Sequence, residues 1–305
     1  NTTSLLVLLL VEVVVLLAIS VVLSSYERRV MSLLHNRDAP VVYLVSGLAQ
    51  PVADGGKLVM KSTVSTSTTT RRVLTSILGV LFGSTLLMGN CMQYGYTSYW
   101  CSTAGSMVLG VVATTAHVLC ETPVGLLTHS RYAALATTRI LTCMLVVDVL
   151  WYSVLTTYGV TTSLHSTSLL LMGSVCSLAA STTTITVLYL VVVMLETSCH
   201  PYDVLEAEPE VVSGYYVDYG GYVFMLVYLA EGVLLTMLLL LWCSCIALAG
   251  ATMPLHTACV VWCITSCVLL VRYSTTRYRI TDATLLCSSI CIHVVWCSSV
   301  VWCFF

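Results

Sequence analysis

Charged side chains make up only 9% of this 305-residue chain, against about 25% in ordinary globular proteins. With 58% hydrophobic residues and a mean hydropathy of +0.96, so little charge excludes a water-soluble surface and implies an integral membrane protein. The net charge of −2 and sequence pI near 6.4 provide no basic patch, which argues against nucleic acid as a partner. Proline is also sparse: of six in all, Pro40, Pro51 and Pro201 fall in polar stretches, where they set turns rather than kink spans. The fifteen cysteines contain no CxxC pair. Cys259, Cys263 and Cys267 recur at helical spacing inside an apolar run, as do Cys287 and Cys291, and they read as small buried apolar side chains rather than metal ligands. No internal repeat is evident, and no ten-residue alternation points to a β-barrel.

What the chain does have is long apolar runs, near 4–25, 73–90, 105–127, 133–157, 168–195, 222–248, 254–271 and 283–305. A membrane span needs about 20 such residues, so these runs predict an all-α integral membrane protein of about eight transmembrane helices in one domain. The polar stretches at every second turn carry the charge, near 26–72, 128–133, 196–221 and 272–282, whereas 91–104, 158–166 and 250–256 contain no Lys, Arg, Asp or Glu. Charged stretches at alternate turns must share one face, which places both termini on the opposite side and makes the charged face the cytoplasmic or matrix one. The first run is too long for a signal-peptide core and leads straight into Tyr26-Glu27-Arg28-Arg29, so it is expected to be a retained helix. The polar stretch 62–70 is expected to approach the second span at the interface, with Arg71 and Arg72 anchored at the headgroups.

The carboxylates carry the functional signal. Asp148 lies about nine residues beyond Arg139 within one run, roughly 13 Å deeper at 1.5 Å per residue, and Glu231 lies similarly deep in another. An acid near the bilayer centre costs about 2.5–3.5 kcal/mol or more, so both are expected to face protein or water rather than lipid. With Glu196 closing one span and Asp218 opening the next, they are arranged as a file from the acidic stretch 196–218 into the membrane, suited to holding protons. Caps and ion pairs to Arg28, Arg29 or Arg272 are the structural alternative. Glu12 and Glu121 also stand in apolar surroundings, with no role legible, and His200 beside Pro201 is the one histidine of interest.

Two long motifs, in order, resemble a known family. The first runs through Tyr26-Glu27-Arg28-Arg29, Asn36-Arg37-Asp38-Ala39-Pro40 and Gly47-Leu48-Ala49-Gln50-Pro51-Val52-Ala53-Asp54 to Lys57-Leu58; the second runs from Leu195-Glu196 through Asp203, Glu206, Glu208, Glu210 and Ser213-Gly214 to Asp218-Tyr219. Both are similar to matrix-side signatures of subunit 1 of respiratory complex I. Weaker similarity extends to Ser130–Arg139, Ala230-Glu231 and Arg272–Arg279. Within these motifs Cys199 stands where the family has arginine, Ala39 where it has glycine and Thr276 where it has proline, while aspartate replaces glutamate at 148 and 218.

The resemblance implies a membrane-arm subunit of a proton-pumping NADH:ubiquinone oxidoreductase in the mitochondrial inner membrane, inactive alone. It places Glu27, Arg28, Arg37, Asp54, Glu206, Glu208, Glu210 and Arg272 at the quinone chamber, and Asp148, Glu196, Asp218 and Glu231 on the proton path. No catalytic residue, metal or cofactor is expected on this chain itself. Ubiquinone is then a substrate at an interface, and FMN and iron-sulfur clusters sit in partner subunits, including the one with the terminal cluster; other membrane-arm subunits and lipid are the remaining partners. A stand-alone proton- or cation-coupled transporter also suits buried acids, but transporters show paired halves and broken helices. A purely structural anchor would need neither Asp148 nor Glu231.

Overall fold

The computed structural model describes residues 2–39, 47–62, 68–91, 103–128, 130–168, 175–203, 219–250, 254–290 and 293. Glu206, Glu208, Glu210 and Asp218, four of the residues singled out above, lie outside the described residues.

Among the described residues the chain is all helix. In order these are α1 (Thr2–Leu34), α2 (Gln50–Met60), α3 (Thr68–Cys91), α4 (Thr103–Leu126), α5 (Arg131–Ser168), α6 (Val175–Glu196), α7 (Tyr222–Gly250), α8 (Pro254–Ser274) and α9 (Ile280–Ile290). Two stretches, Arg131–Thr157 and Tyr222–Trp242, are long and apolar enough to cross a membrane, and shorter apolar helices cover Arg72–Thr85, Ile185–Glu196, Trp262–Ser274 and Ile280–Ile290.

Several boundaries differ from the sequence expectation. α1 continues past residue 25 through Glu27 and Arg28, so those two charges project from a helix. Within the stretch expected as loop, Pro51 opens α2, where a missing N–H costs nothing because the first turn has no partner for it. α5 runs on through 158–166, the stretch without charge that was expected to be a link.

Helix ends are fixed by local chemistry. Ser130 Oγ accepts from the Ala133 amide at 3.2 Å, capping α5. α1 and α6 stop alike, on a residue in the left-handed region: Asn36 (φ 51°) and Ser198 (φ 48°). In each case the next amide reaches back to the helix, Arg37 to the Ser32 carbonyl and Cys199 to the Met194 carbonyl, which closes the last turn. Inside α4, Pro123 has no amide to offer the Leu119 carbonyl, and Thr122 Oγ1 donates to that oxygen instead, at 3.2 Å. Other hydroxyls in apolar helices satisfy themselves in the same way, as Thr114 does on Val111 and Thr236 on Val233.

α7 is the central helix, in contact with α1, α2, α3, α6 and α8. Its Val233, Leu234, Met237 and Leu238 are almost fully buried. Around it Tyr189 of α6 stacks on Trp242 with centroids 4.2 Å apart, and its hydroxyl donates to the Leu238 carbonyl at 2.6 Å. Large apolar side chains such as Leu145, Val149 and Val187 remain on the outside, as expected for a surface facing lipid rather than water.

Candidate functional site

Two groups of charged side chains stand out among the described residues. The first joins α1, α2 and α8. Arg272, in the last turn of α8, places Nη1 2.5 Å from Glu27 Oε1, and Tyr273 Oη donates to the same oxygen at 2.7 Å. One turn of helix brings consecutive residues of α1 to different partners: Arg28 Nη1 donates to Asp54 Oδ2 of α2 at 2.8 Å, while Tyr26 Oη lies 3.0 Å from Ser266 Oγ and meets the Trp262 ring edge-on. Gln50 Nε2 supports Asp54 from within α2, at 3.4 Å. Glu231 of α7 and the Cys199 thiol lie within electrostatic reach of each other, and Cys199 also feels Arg272 and Glu27.

Cys199 is buried just past the end of α6. Burial pushes its thiol up from the ordinary range, with the Arg272 guanidinium and the Thr197 hydroxyl acting in the opposite sense. The same segment is tied down by the Tyr278 amide on the Pro201 carbonyl at 3.0 Å and by stacking of Tyr202 on Tyr278. His200 Nε2 lies 3.4 Å from the buried Asp203 carboxylate, which gives the histidine singled out from the sequence a local pairing role. Tyr219, just before α7, donates its hydroxyl to the Val124 carbonyl at the end of α4. These contacts gather the charged segments at one end of the bundle.

The second group lies among α4, α5 and α6. Glu196 is 4% exposed, and neither carboxylate oxygen has a hydrogen-bond partner among the described residues. Asp148 and Glu121 are the acids within its electrostatic reach. Asp148 is half-buried, on the flank between exposed Leu145 and Val149 and buried Val147 and Trp151. Glu121 is buried, with its Oε1 3.1 Å from Nδ1 of the fully buried His117 one turn earlier.

The residues expected from the sequence thus divide between the two groups. Glu27, Arg28, Asp54, Arg272 and Glu231 gather in the first, and Asp148 and Glu196 in the second. Glu231, expected in one file with Asp148, lies within electrostatic reach of Cys199 and Tyr228. Arg37 is exposed on the stretch after α1. Sequence reasoning missed His117, Tyr228 and Tyr273, and gave Glu121 no role. The signal for His117 and Glu121 was present in their four-residue spacing, which puts both on one helix face. A small apolar crevice between α5, the end of α6 and α9 is lined by Met144, Val147, Leu195, Tyr202 and Cys287 and includes none of the expected chamber residues.

The described residues form an all-helical bundle with apolar outer faces, ion-paired side chains and buried carboxylates, as a membrane protein would. The family model described as NADH dehydrogenase matches residues 6–303, and the chain belongs to that family. It is similar to NADH-ubiquinone oxidoreductase chain 1 of Chondrus crispus, 27% identical over 242 residues covering 75% of this chain and 70% of the relative. The corresponding chain of Coturnix japonica is 28% identical over 232 residues, covering 75% and 70%. A subunit of the NADH-quinone oxidoreductase of Bordetella petrii is 26% identical over 310 residues, covering 91% and 85%.

Proposed function

We propose that this chain is the membrane-arm subunit of a proton-translocating NADH:quinone oxidoreductase that forms the membrane side of the quinone chamber and begins the proton path. The family match over nearly the whole chain supports the assignment to the complex. The observation that carries the proton role is Glu196: a carboxyl group buried without a hydrogen-bond partner and within reach of two further acids, Asp148 and Glu121. Such a group is costly to keep for stability alone, and like carboxyls in a dry site share protons rather than all ionise.

In this reading Glu27, Arg28, Asp54 and Arg272 form a charged wall at the chamber, with Arg37 at its entrance. Glu206, Glu208 and Glu210 belong to the same chamber, and Asp218 to the path. Reduction of a quinone to a quinol takes up two electrons and two protons. The electrons arrive from partner subunits carrying FMN and iron-sulfur clusters, the last cluster being in the subunit that closes the chamber. Proton uptake at the chamber changes the charge felt by Cys199, Glu231 and the Glu27 and Arg272 pair, and the stretch 196–218 passes that change to Asp148 and Glu196. About eight membrane spans, with the charged segments on the matrix face of the mitochondrial inner membrane and both termini on the other, complete the proposal.

Glu231→Gln in the assembled complex tests it. The substitution keeps the shape and removes the titratable group, so the expected result is normal assembly with lowered quinone reductase activity. Normal activity in isolated membranes would count against the path role of Glu231.

A further inference from the structure

His117 and Glu121 call for an explanation that packing does not provide. Both belong to α4 and pair across one turn, so the contact ties no two helices together. A buried ionic or polar pair is generally no more stabilising than apolar side chains of the same volume. His117 is 0% exposed, and among the described residues neither ring nitrogen has a hydrogen-bond partner, Nδ1 standing 3.1 Å from Glu121 Oε1 outside hydrogen-bond geometry. A fully buried ring nitrogen with nothing to bond is rare in a native interior. Glu121, the other half of the pair, is with Asp148 within electrostatic reach of Glu196, whose own two oxygens have no partner among the described residues at 4% exposure. A base and two acids, His117 and Glu121 of α4 and Glu196 of α6, are therefore buried, with the half-buried Asp148 of α5 at their edge. Asp148 stands within reach of the same Glu196.

We propose that His117 and Glu121 form a further proton-holding pair of the membrane path, storing one proton between the imidazole and the carboxylate and exchanging it with Glu196. The exchange involves no electrons: an N–H or O–H bond of the pair breaks as the O–H bond of Glu196 forms, and the reverse transfer reloads the pair. Histidine suits this place because its two ring nitrogens let it take a proton on one side and release one on the other. This proposal rests on Glu196 and Asp148 being path residues, and it deepens that reading by adding a store beside them.

The test uses the purified, assembled complex carrying Glu121→Gln or His117→Gln, each compared with Glu196→Gln. Redox-triggered infrared difference spectra report carboxyl groups that gain or lose protons on quinone reduction, and sealed proteoliposomes report protons moved per NADH oxidised. With Glu121→Gln one protonated-carboxyl signal is expected to disappear, and with His117→Gln to shift; turnover is expected to fall by about tenfold, equivalent to about 1.4 kcal/mol in barrier. If the Glu121→Gln complex leaves the carboxyl spectrum and pumping ratio intact while Glu196→Gln changes both, the pair is not part of the path, although the path itself stands. If Glu196→Gln also changes neither, the underlying reading fails. Failure of both the Glu121→Gln and His117→Gln complexes to assemble would make the pair structural and overturn the proposal as well.

Discussion

Arg272 Nη1 lies 2.5 Å from Glu27 Oε1, joining the last turn of α8 to α1 across 245 positions of sequence. Both side chains are less than a third exposed, so neither charge is well solvated if its partner is removed. Arg272→Gln is expected to strand Glu27 with only the Tyr273 hydroxyl, and Glu27→Gln to strand the guanidinium. Each should lower stability by about 2 kcal/mol, near the value for a hydrogen bond to a charged group. The double substitution is expected to cost less than the sum of the two, because it leaves no orphan charge. Thermal inactivation of the three variant complexes checks this, and strictly additive losses would show that the pair is not energetically coupled.

The neighbouring pair should behave differently. Arg28 and Asp54 are 2.8 Å apart, but their side chains are 39% and 35% exposed. Water screens such a pair, and its net contribution is about 0–1 kcal/mol. Asp54→Asn is therefore expected to leave the inactivation temperature nearly unchanged. If the pair lines the chamber as proposed, the same variant should raise the KM for quinone. A large loss of stability with an unchanged KM would reverse that assignment.

The contrast between these pairs shows how far the sequence could be read. The apolar runs located most of the helices, because period and length survive without tertiary information. Of the charged residues singled out from the sequence, Glu27 meets Arg272 and Arg28 meets Asp54. Which cation pairs with which acid was not legible, since Arg28, Arg29 and Arg272 are equivalent until α1 and α8 are placed side by side. For Glu231, depth along a helix is readable, whereas the direction it faces depends on α7 sitting at the centre of the bundle. Residues 204–218 hold four of the expected residues, and all four lie outside the described residues.

Cys199 offers a prediction in pH. Its thiol is 7% exposed and pushed up from the ordinary cysteine value by burial. The reactive species is the thiolate, so a raised value lowers the thiolate fraction at any given pH below it. Alkylation by a water-soluble maleimide at pH 7–8 should therefore be slower at Cys199 in the folded complex than after denaturation, and the rate should still be rising where a free thiol levels off at about pH 10. Mass spectrometry of the peptide over time measures both. Rapid labelling in the folded complex would mean that the end of α6 opens readily.

Gly110 tests the contact between α4 and α7, the helices that carry Glu121 and Glu231. A Cβ at this position would meet Leu241 Cδ1 at 3.2 Å, closer than an ordinary contact and at the far end of a flexible side chain. Alanine therefore requires only that Leu241 turn slightly, at about 0.5–1.5 kcal/mol. Replacing glycine within a helix returns about 1 kcal/mol. The two nearly cancel, and Gly110→Ala should shift stability by less than about 1 kcal/mol. Leucine at this position cannot be accommodated by rotation of one side chain, and overpacking of a close-packed interior typically costs about 1–3 kcal/mol. It also forces α4 away from α7. Gly110→Leu is thus expected to lower the inactivation temperature and the quinone reductase rate together, while Gly110→Ala leaves both near their original values. Equal behaviour of the two variants would show that the helices are not held at this separation.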